Sequence, residues 1–455
     1  MSDSKRARLK EWLESGEARL QPLAFPQREL WEASPVPAAD LSNHICCVIH
    51  VQGLISPQDC EAAIARVVER QEALRISFLP GKSGPVQMIR KNGEVNFRVR
   101  DLSSAEGQPD AIEELAREVF DEPFDLVQGP LYRVAMLRRA PDDFVLAFAI
   151  HHAVADGWTL GVFVQDLCAA HIQTRMGVCA PLPPVPLSYS AWGVAEREFW
   201  KPAALEQRGI FWKTTLSGTR RIWRAREQAT PVSGAAKRWV SQIPSGLGIA
   251  VRDIARRSGA TLFSTLLAAF QVTVSRWTGV GDVLVGTPVA NRATQAVRET
   301  MGYCSGIVPL RGQIDPARPF SDAVRAAYDT TVEAFGNAMP FAELARALGD
   351  AAAPGYNSVF EVRFALQNHP IPDVTVPGLS ARLRMRSSGT ARYDLACEIT
   401  EEGDAMAVAW MFRPAMFPQK EIQELDRLFQ SFLAGACRSP ENQIAVLFDS
   451  NIFSP

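Results

Sequence analysis

The stretch FVLAFAIHHAVADGW, residues 144–158, decides the local fold. Its first seven residues are apolar with almost no polar relief, a pattern that predicts a buried strand. The amphipathic run that follows, residues 159–171, is typical of a helix. Asp156 and Gly157 predict the turn between them, because Asp can bond the local backbone or pair with a cation and Gly permits a close approach or a positive φ. A strand, a turn and a helix therefore follow one another, with the turn at the mouth of a cleft.

Two adjacent histidines, His151 and His152, end the predicted strand. Neighbouring strand residues point to opposite faces, so the two imidazoles cannot share one role. If His152 faces the cleft it suits an acid or a base, and His151 then faces the packed side and braces the loop. A satisfied core or surface histidine is the alternative. By the same alternation Phe148 and Ile150 share the face of His152, with Val154 at its border, and these side chains either line an apolar pocket or fill ordinary core.

A metal site is the other use of paired histidines, and the sequence does not favour it. Two ligands on opposite faces of a strand chelate one ion poorly. The remaining histidines show no ligand spacing; they are His44, His50, His171 and His369. We therefore expect no metal ion.

Composition and charge exclude several classes of protein. A chain of 455 residues exceeds the size of a single hydrophobic core, which predicts two domains. The net charge of −2 and the pI near 6.4 give no electrostatic reason to bind nucleic acid or an anionic membrane. The eight cysteines are scattered without a CxxC pair, which favours reduced thiols. Because the sequence also has no apolar signal core and no long apolar span, we expect a soluble, cytoplasmic protein without membrane insertion.

The run PLPPVPLSYS, residues 181–190, divides the chain. Four prolines in six positions are incompatible with a helix or a central strand, so this run predicts a linker between an N-terminal lobe, residues 1–180, and a C-terminal lobe, residues 191–440. Strands and helices alternate in both parts, which predicts an α/β architecture of two comparably built lobes with a cleft between them. Residues 441–455 lose periodicity and are interpreted as the start of a linker to a following domain.

Hydrophobic periodicity places the main elements along the chain. Before the proline-rich run, strands are predicted at residues 44–51, 95–99 and 131–138, and helices at residues 57–71 and 111–120. After it, helices are predicted at residues 191–216 and 246–277, and strands at residues 238–243 and 283–287.

HHAVADGW resembles the HHxxxDG signature of the chloramphenicol acetyltransferase-like superfamily, and further motifs narrow the resemblance to the condensation domains of nonribosomal peptide synthetases. These motifs follow in the family's order: PQRELW (26–31), RQEALRISF (70–78, with Gln71 where His is more usual), FDLVQGPLYRVAML (124–137), YSAW (189–192), VGTPVANR (285–292), MGYCSGIVPLR (301–311), MPFAEL (339–344) and FEVRFALQN (360–368). A set of motifs in one order is a far more specific signal than HHxxxDG alone.

The resemblance implies a fold and a reaction. Two chloramphenicol acetyltransferase-like lobes would form a V-shaped pseudo-dimer with a central tunnel and the HHxxxDG loop at its floor. A donor acyl thioester enters from one side. From the other comes an aminoacyl thioester on the phosphopantetheine arm of a carrier protein, and its α-amine attacks the donor carbonyl to form an amide. No permanently bound cofactor is implied.

The resemblance also assigns roles to residues. His152 carries the chemistry, with His151 and Gly157 in support, and Asp156 pairs with an arginine of the second lobe, here Arg292. The substrate tunnel is expected to include Phe148, Ile150, Val154, Trp158 and Ser305. A free α-ammonium group has a pKa of about 8, so His152 need only accept the proton as the C–N bond forms or orient the amine. A catalytic triad that includes Asp156 is the competing interpretation, and the Gly157 N–H is a candidate donor to the oxyanion.

The donor is predicted from the position of the first motif. That motif begins at Pro26, so we expect the donor to arrive in trans, from coenzyme A, an acyl carrier protein or a partner synthetase. The apolar strand favours a fatty acyl-coenzyme A, which would make this a starter condensation domain of lipopeptide synthesis. The expected partners are a peptidyl carrier domain and a downstream adenylation domain. Alternatives are a chain-elongating condensation domain and an ester-forming, coenzyme A-dependent acyltransferase. An epimerisation domain and a non-catalytic module of this fold fit the motifs less well.

Overall fold

The computed structural model describes residues 3–33, 41–81, 84–102, 109–178, 180–219, 222, 234–349, 359–367, 374–386, 390–391 and 393–449. The chain divides into two compact units that interleave along the sequence. Unit 1 comprises Met1–Lys201, Ala290–Ser305 and His369–Ser388, and unit 2 comprises Pro202–Val289, Gly306–Asn368 and Gly389–Pro455.

The first part of the chain forms these helices and strands: α1 (Asp3–Glu14), β1 (Ala18–Pro22), α2 (Phe25–Ala33), β2 (His44–Gly53), α3 (Pro57–Arg70), β3 (Ile76–Leu79), β4 (Val86–Arg90), β5 (Phe97–Asp101), α4 (Pro109–Asp121), β6 (Tyr132–Ala140), β7 (Asp143–His151), α5 (Gly157–Arg175) and α6 (Tyr189–Phe199). Short 3₁₀ helices occupy Leu41–Asn43, Glu72–Arg75 and His152–Val154.

The second part forms α7 (Pro202–Thr215), β8 (Gly234–Ala235), β9 (Lys237–Ile243), α8 (Ser245–Arg257), α9 (Leu262–Thr278), β10 (Asp282–Val289), α10 (Gln295–Arg298), β11 (Gly306–Gln313), α11 (Phe320–Gly336), α12 (Phe341–Ala347), β12 (Val362–Gln367), β13 (Val374–Val376), β14 (Leu379–Arg386), β15 (Thr390–Ala391), β16 (Leu395–Glu402), β17 (Ala405–Phe412), α13 (Gln419–Arg438) and α14 (Ile444–Asp449).

Unit 1 is built on a sheet whose described strands run in the order β13-β14-β2-β7-β6-β5. The central pair, β2 and β7, is antiparallel, and its register places His44 opposite His151. Helix α5 covers one face, where Phe148 stacks on Phe163 at 4.2 Å between ring centroids. Helix α4 covers the other face, where the Arg133 guanidinium donates to the Val119 carbonyl at 3.0 Å. The strand that carries the HHxxxDG loop is therefore buried on both faces.

Local sequence explains why α3 forms where it does. Ser56 caps its N-terminus by accepting the Asp59 N–H at 3.0 Å, and Pro57 stands in the first turn, where proline is tolerated. Its buried positions Cys60, Ala63, Ile64 and Val67 recur at helical spacing and enter the core of unit 1.

Unit 2 has a second sheet, with the described strands in the order β11-β10-β12-β16-β17-β9. Its core is aromatic: the Phe270 ring lies 5.0 Å from Phe364 and 5.9 Å from Trp410, and all three side chains are fully buried. Both units thus combine a mixed sheet with helices, and the predicted α/β architecture of two comparably built lobes is confirmed.

Two predicted helices are each broken in the structure. The helix predicted at residues 191–216 is interrupted before Pro202 and becomes α6 and α7, because proline cannot donate within a helix interior. The helix predicted at residues 246–277 becomes α8 and α9. Gly259 adopts a φ of +62°, and Thr261 caps α9 through a capping box with Ser264. The other predicted strands and helices are found with small changes at their ends.

The lobe boundaries differ from the prediction based on the proline-rich run. Residues 181–190 lie inside unit 1, where Leu182 is buried and the Pro183 carbonyl accepts from Arg70 Nε at 2.7 Å. The chain passes into unit 2 at Pro202 instead. At the other end, Ile444–Asp449 forms helix α14, so the predicted loss of structure from residue 441 is wrong for these residues.

Among the residues that the structure describes, no helix taken alone is both long and apolar enough to cross a bilayer. In this described part of the chain, only α8 and α9 taken together meet both criteria, and they are bent by 106° relative to each other.

Candidate functional site

The HHxxxDG loop has the strand, turn and helix that the sequence predicts. Strand β7 ends at His151, a 3₁₀ turn spans His152–Val154, and Asp156 caps α5. The partly exposed residues of the stretch 151–158 are His152, Gly157 and Trp158, whereas the others are buried. The loop therefore exposes one of its two imidazoles, beside the N-terminus of a helix.

His151 points into the packed interior. Its side chain is 2% exposed, and its Nδ1 accepts the Ala153 N–H at 3.1 Å. The rings of His44 and Phe124 each lie 6.1 Å away, between centroids. These contacts tie the imidazole to the backbone of its own loop.

Gln27 supports the same loop from helix α2, and sequence reasoning did not single it out. Its buried amide donates from Nε2 to the Ala153 carbonyl at 3.1 Å, and its Oε1 accepts the Ala24 N–H at 2.9 Å. Gln27 belongs to the PQRELW motif, so the sequence marked it as part of a family motif. The sequence did not indicate that Gln27 binds the HHxxxDG loop.

The carboxylate of Asp156 is the centre of the loop's hydrogen bonding. Oδ1 accepts from the N–H and the hydroxyl of Thr159, at 3.1 and 3.2 Å. Oδ2 accepts from Arg292 Nη1 at 2.7 Å and from the N–H groups of Cys304 and Ser305, both at 3.1 Å. No imidazole is among these donors in the described part of the chain, so the alternative of a catalytic triad through Asp156 is wrong.

Arg292 is as deeply buried as its partner and extends the network. Its Nη2 donates to the carbonyls of Thr300 at 3.1 Å and Gly302 at 3.3 Å, and its guanidinium lies 5.7 Å from the Trp158 ring centroid. Burial is the largest single influence on the pKa of Arg292 and acts to lower it, but the charge and hydrogen bond of Asp156 and the charges of Cys304 and Tyr189 together outweigh burial and raise that pKa above its ordinary value. The predicted pair exists, but Arg292 belongs to unit 1, which corrects the expectation that it lies in the second lobe.

Gln71 is a second residue that the sequence did not mark as functional. Its fully buried amide donates to Asp166 Oδ2 at 2.7 Å and to the Glu299 carbonyl at 2.9 Å, while its Oε1 accepts the Met301 N–H at 3.0 Å. Neighbouring Arg70 makes ion pairs with both Asp166 and Glu299. The two side chains join α5 to the chain that precedes Cys304.

Of the predicted tunnel residues, Trp158 and Ser305 are partly exposed and belong to this network. Trp158 Nε1 donates to the Arg298 carbonyl at 2.8 Å, and the Ser305 N–H binds Asp156 as described. Tyr303, which the sequence did not single out, places its ring 4.3 Å from the His152 ring, between centroids, at an interplanar angle of 64°.

The structure corrects the placement of the predicted apolar wall. Phe148, Ile150 and Val154 are fully buried, and Phe148 packs against Phe163 in the core of unit 1. His152 belongs to the 3₁₀ turn and not to the strand, so the alternation of side chains between the two faces of a strand does not extend to it, and the predicted shared face is wrong. These three residues fill ordinary core.

The site offers one partly exposed histidine, His152. Its loop is held by the buried ion pair between Asp156 and Arg292. Among the described residues no group of three His, Cys, Asp or Glu side chains is arranged as metal ligands would be. Such a site can accept a proton from, or orient, a nucleophile that approaches His152.

Sequence comparison finds the same family that the motifs indicate. The condensation domain profile matches residues 17–448. A linear gramicidin synthase polypeptide of Brevibacillus parabrevis is 27% identical over 438 residues, which are 94% of this chain and 8% of that protein. The phosphinothricin tripeptide synthetase PhsC of Streptomyces viridochromogenes is 27% identical over 94% of this chain and 40% of its own length. The chain thus spans less than half the length of these relatives.

Solved structures share the fold. A variant of the starter condensation domain of rhizomide synthetase RzmA, in complex with C8-CoA, superposes with a TM-score of 0.82 at 22% identity, covering 94% of this chain and 96% of that one. The first condensation domain of the CDA synthetase superposes with a TM-score of 0.78 at 20% identity, covering 94% and 98%.

Proposed function

This chain belongs to the condensation domain family, the amide-bond-forming domains of nonribosomal peptide synthetases, and on that premise we propose that His152 assists attack of an acceptor amine on a donor thioester. The observation that carries this assignment is exposure: His152 is the partly exposed histidine of the HHxxxDG loop, whereas His151 is buried. Asp156 cannot take the same role because its carboxylate already accepts five hydrogen bonds.

The proposed reaction needs one side chain of the protein, His152, to account for the proton that is transferred. The amine nitrogen of an aminoacyl thioester forms a C–N bond to the donor carbonyl, and the C–S bond of the donor breaks. His152 accepts the proton that the nitrogen loses, and that proton then passes to the departing thiolate. A free α-ammonium has a pKa of about 8, so a neutral amine fraction exists near neutral pH and a weak base or an orienting acceptor suffices.

Gly157 supports the step as the predicted oxyanion donor. It is the first residue of α5, and the first N–H groups of an α-helix have no acceptor within the helix. Asp156 and Arg292 hold this helix end and its loop in one position, which is the requirement for a preorganised donor.

For the donor we propose a fatty acyl thioester of coenzyme A or of an acyl carrier protein, which makes this a starter condensation domain. The support is the likeness in fold to a starter domain that holds C8-CoA. The acceptor would be an aminoacyl group on the phosphopantetheine arm of a carrier domain, with an adenylation domain as a further partner. A chain-elongating domain and an ester-forming acyltransferase are the alternatives that the experiment separates.

The test offers acetyl-, octanoyl- and palmitoyl-coenzyme A or a carrier-bound peptidyl group as donors, and small alcohols or carrier proteins loaded with different amino acids as acceptors. It reads the mass of the products, which for a loaded carrier is the intact mass of the carrier. A mass gain equal to the acyl group supports the proposal, and His152→Ala should form that product far more slowly. Turnover only from a peptidyl group on a carrier would establish the elongating alternative. Product formed only with small alcohols would establish the ester-forming one.

A further inference from the structure

The segment of residues 298–305 runs from the last residue of α10 to the start of β11 and passes the HHxxxDG loop within unit 1. Hydrogen bonds from side chains hold the backbone of this segment, whereas the backbone of a helix or a strand is held by bonds between backbone groups. The carbonyls that accept are those of Arg298, Glu299, Thr300, Gly302 and Tyr303, and the N–H groups that donate are those of Met301, Gly302, Cys304 and Ser305. The partners come from Gln71, Asp156, Trp158, Thr159, Tyr189 and Arg292. The backbone of the 298–305 segment is therefore fixed along nearly its whole length.

Tyr303 is held from both sides in this segment. Before it, Gly302 has a φ of +155° and lies so close to the Tyr189 ring that a Cβ would stand 2.1 Å from Cδ2. After it, Cys304 is fully buried and donates to Asp156. The carbonyl of Tyr303 itself accepts the Tyr189 hydroxyl at 2.9 Å. Its Cα position is thereby set before any substrate binds.

The ring of Tyr303 then meets the accessible imidazole. The centroid distance of 4.3 Å and the angle of 64° describe an edge-to-face contact. Such pairs have a preferred geometry because the ring face is negative and the ring edge is positive, and the face also attracts a protonated imidazole. A leucine of similar bulk would fill the space without this preference.

We propose that Tyr303 is a positioning residue: its ring, carried by the fixed 298–305 segment, sets the orientation of the His152 imidazole toward the acceptor amine. This inference rests on the proposed role of His152. It assigns the aromatic ring, and not the hydroxyl, as the group that acts. The Tyr189 hydroxyl contributes through the backbone of Tyr303.

The first test needs no substrate. In the whole chain labelled at histidine, NMR signals of His152 are assigned by their loss in His152→Gln, and the six histidines are then compared among Tyr303 variants. We expect Tyr303→Leu to shift or broaden the His152 signals through loss of the ring current and of the single orientation, and Tyr303→Phe to preserve them. Unchanged His152 signals in Tyr303→Leu would overturn the inference.

The second test measures kcat and KM with octanoyl-coenzyme A and the loaded carrier. Tyr303→Leu should lower kcat by about 10-fold to 100-fold with little change in KM, since a misplaced catalytic group costs rate and not binding. Tyr303→Phe keeps the ring, so its kcat should stay within about threefold of the parent value. Tyr328→Leu, which removes a partly buried tyrosine from α11 of unit 2, is the matched control.

Tyr189→Phe keeps the segment's packing but removes the donor to the Tyr303 carbonyl, so it tests the same idea if Tyr303→Leu does not fold. We expect Tyr189→Phe to lower kcat by less than is expected for Tyr303→Leu, with little change in KM, and an unchanged kcat in Tyr189→Phe would then overturn the inference. If His152→Ala is inactive and Tyr303→Leu keeps full kcat, the inference about Tyr303 fails while the proposed role of His152 stands. If His152→Ala keeps full activity, the proposed function fails with it.

Discussion

Asp156 Oδ2 and Arg292 Nη1 lie 2.7 Å apart, with side chains that are 2% and 1% exposed. The two residues are 136 positions apart in the sequence, yet both belong to unit 1. Because neither charge reaches water, each is tolerated only through its partner and the backbone groups around it. The pair also connects the N-terminal end of α5 to the 298–305 segment, so the shape of the proposed active site depends on it.

Neutralising one partner should leave the other as an uncompensated buried charge. We expect Asp156→Asn and Arg292→Gln each to lower the free energy of unfolding by about 3 kcal/mol or more. The double variant should lose less than the sum of the two, with a coupling above about 1 kcal/mol. Urea unfolding of the four proteins measures this cycle.

An exposed pair in the same unit serves as the control for that cycle. Arg98 and Glu122 lie 2.9 Å apart, but their side chains are 47% and 43% exposed. Breaking this pair should cost less than about 1 kcal/mol. Simple additivity of the Asp156 and Arg292 losses would show that the buried contact contributes no coupling.

The two histidines should separate activity from stability. His152→Ala should lower the rate of amide formation by about 10² to 10⁴-fold and leave the melting temperature near that of the parent, because its ring is partly exposed. His151→Ala should lower the melting temperature instead, because it empties a buried site and removes the acceptor of the Ala153 N–H. Full activity of His152→Ala with a loaded carrier would contradict the assignment.

Gly302 should tolerate no side chain. An alanine would combine a φ of +155° with a Cβ that stands 2.1 Å from the Tyr189 ring, so we expect Gly302→Ala to destabilise the protein by about 2 kcal/mol or more. Gly336 in α11 is the matched site, since a Cβ there meets nothing within 4 Å. Gly336→Ala should be neutral or slightly stabilising. Thermal unfolding compares them, and equal melting temperatures would refute the close-packing argument.

Glu196 should make stability depend on pH. Burial raises the pKa of this carboxyl to about 8, although its Oε2 accepts the Phe25 N–H at 3.2 Å. An acid whose pKa is raised on folding binds more protons in the folded state, so its ionisation destabilises the fold increasingly as pH rises from its unfolded pKa through about 8. Glu196→Gln should remove that loss and gain stability relative to the parent at alkaline pH.

Urea unfolding at about pH 5 and about pH 9 measures this effect. We expect the free energies of unfolding of the parent and of Glu196→Gln to differ by up to a few kcal/mol at the higher pH. Glu198→Gln is the control on the same helix, because the Glu198 side chain is 71% exposed and pairs with Lys201. A parent and a Glu196→Gln variant with the same pH dependence would rule out a raised pKa of Glu196.

The sequence by itself determined the α/β class, some of the strands and helices, and the loop that carries the proposed chemistry. Each of these follows from local rules: periodicity of apolar residues and turn residues such as Asp156 and Gly157. Two helices were predicted to be longer than they are. Each contains a residue that interrupts a helix, Pro202 or Gly259, and hydrophobic periodicity alone does not detect such residues.

Only the tertiary structure decided which residues hold the loop of His152 and the 298–305 segment. Gln27, Gln71 and Tyr303 reach the site from separate elements, and residues 290–305 fold into unit 1 although most of the chain around them belongs to unit 2. Local patterns cannot encode such placement, because it depends on which distant segments pack together. The same holds for Phe148 and Ile150: alternation within a strand predicted their shared face, but the packing of α5 against that face made them core.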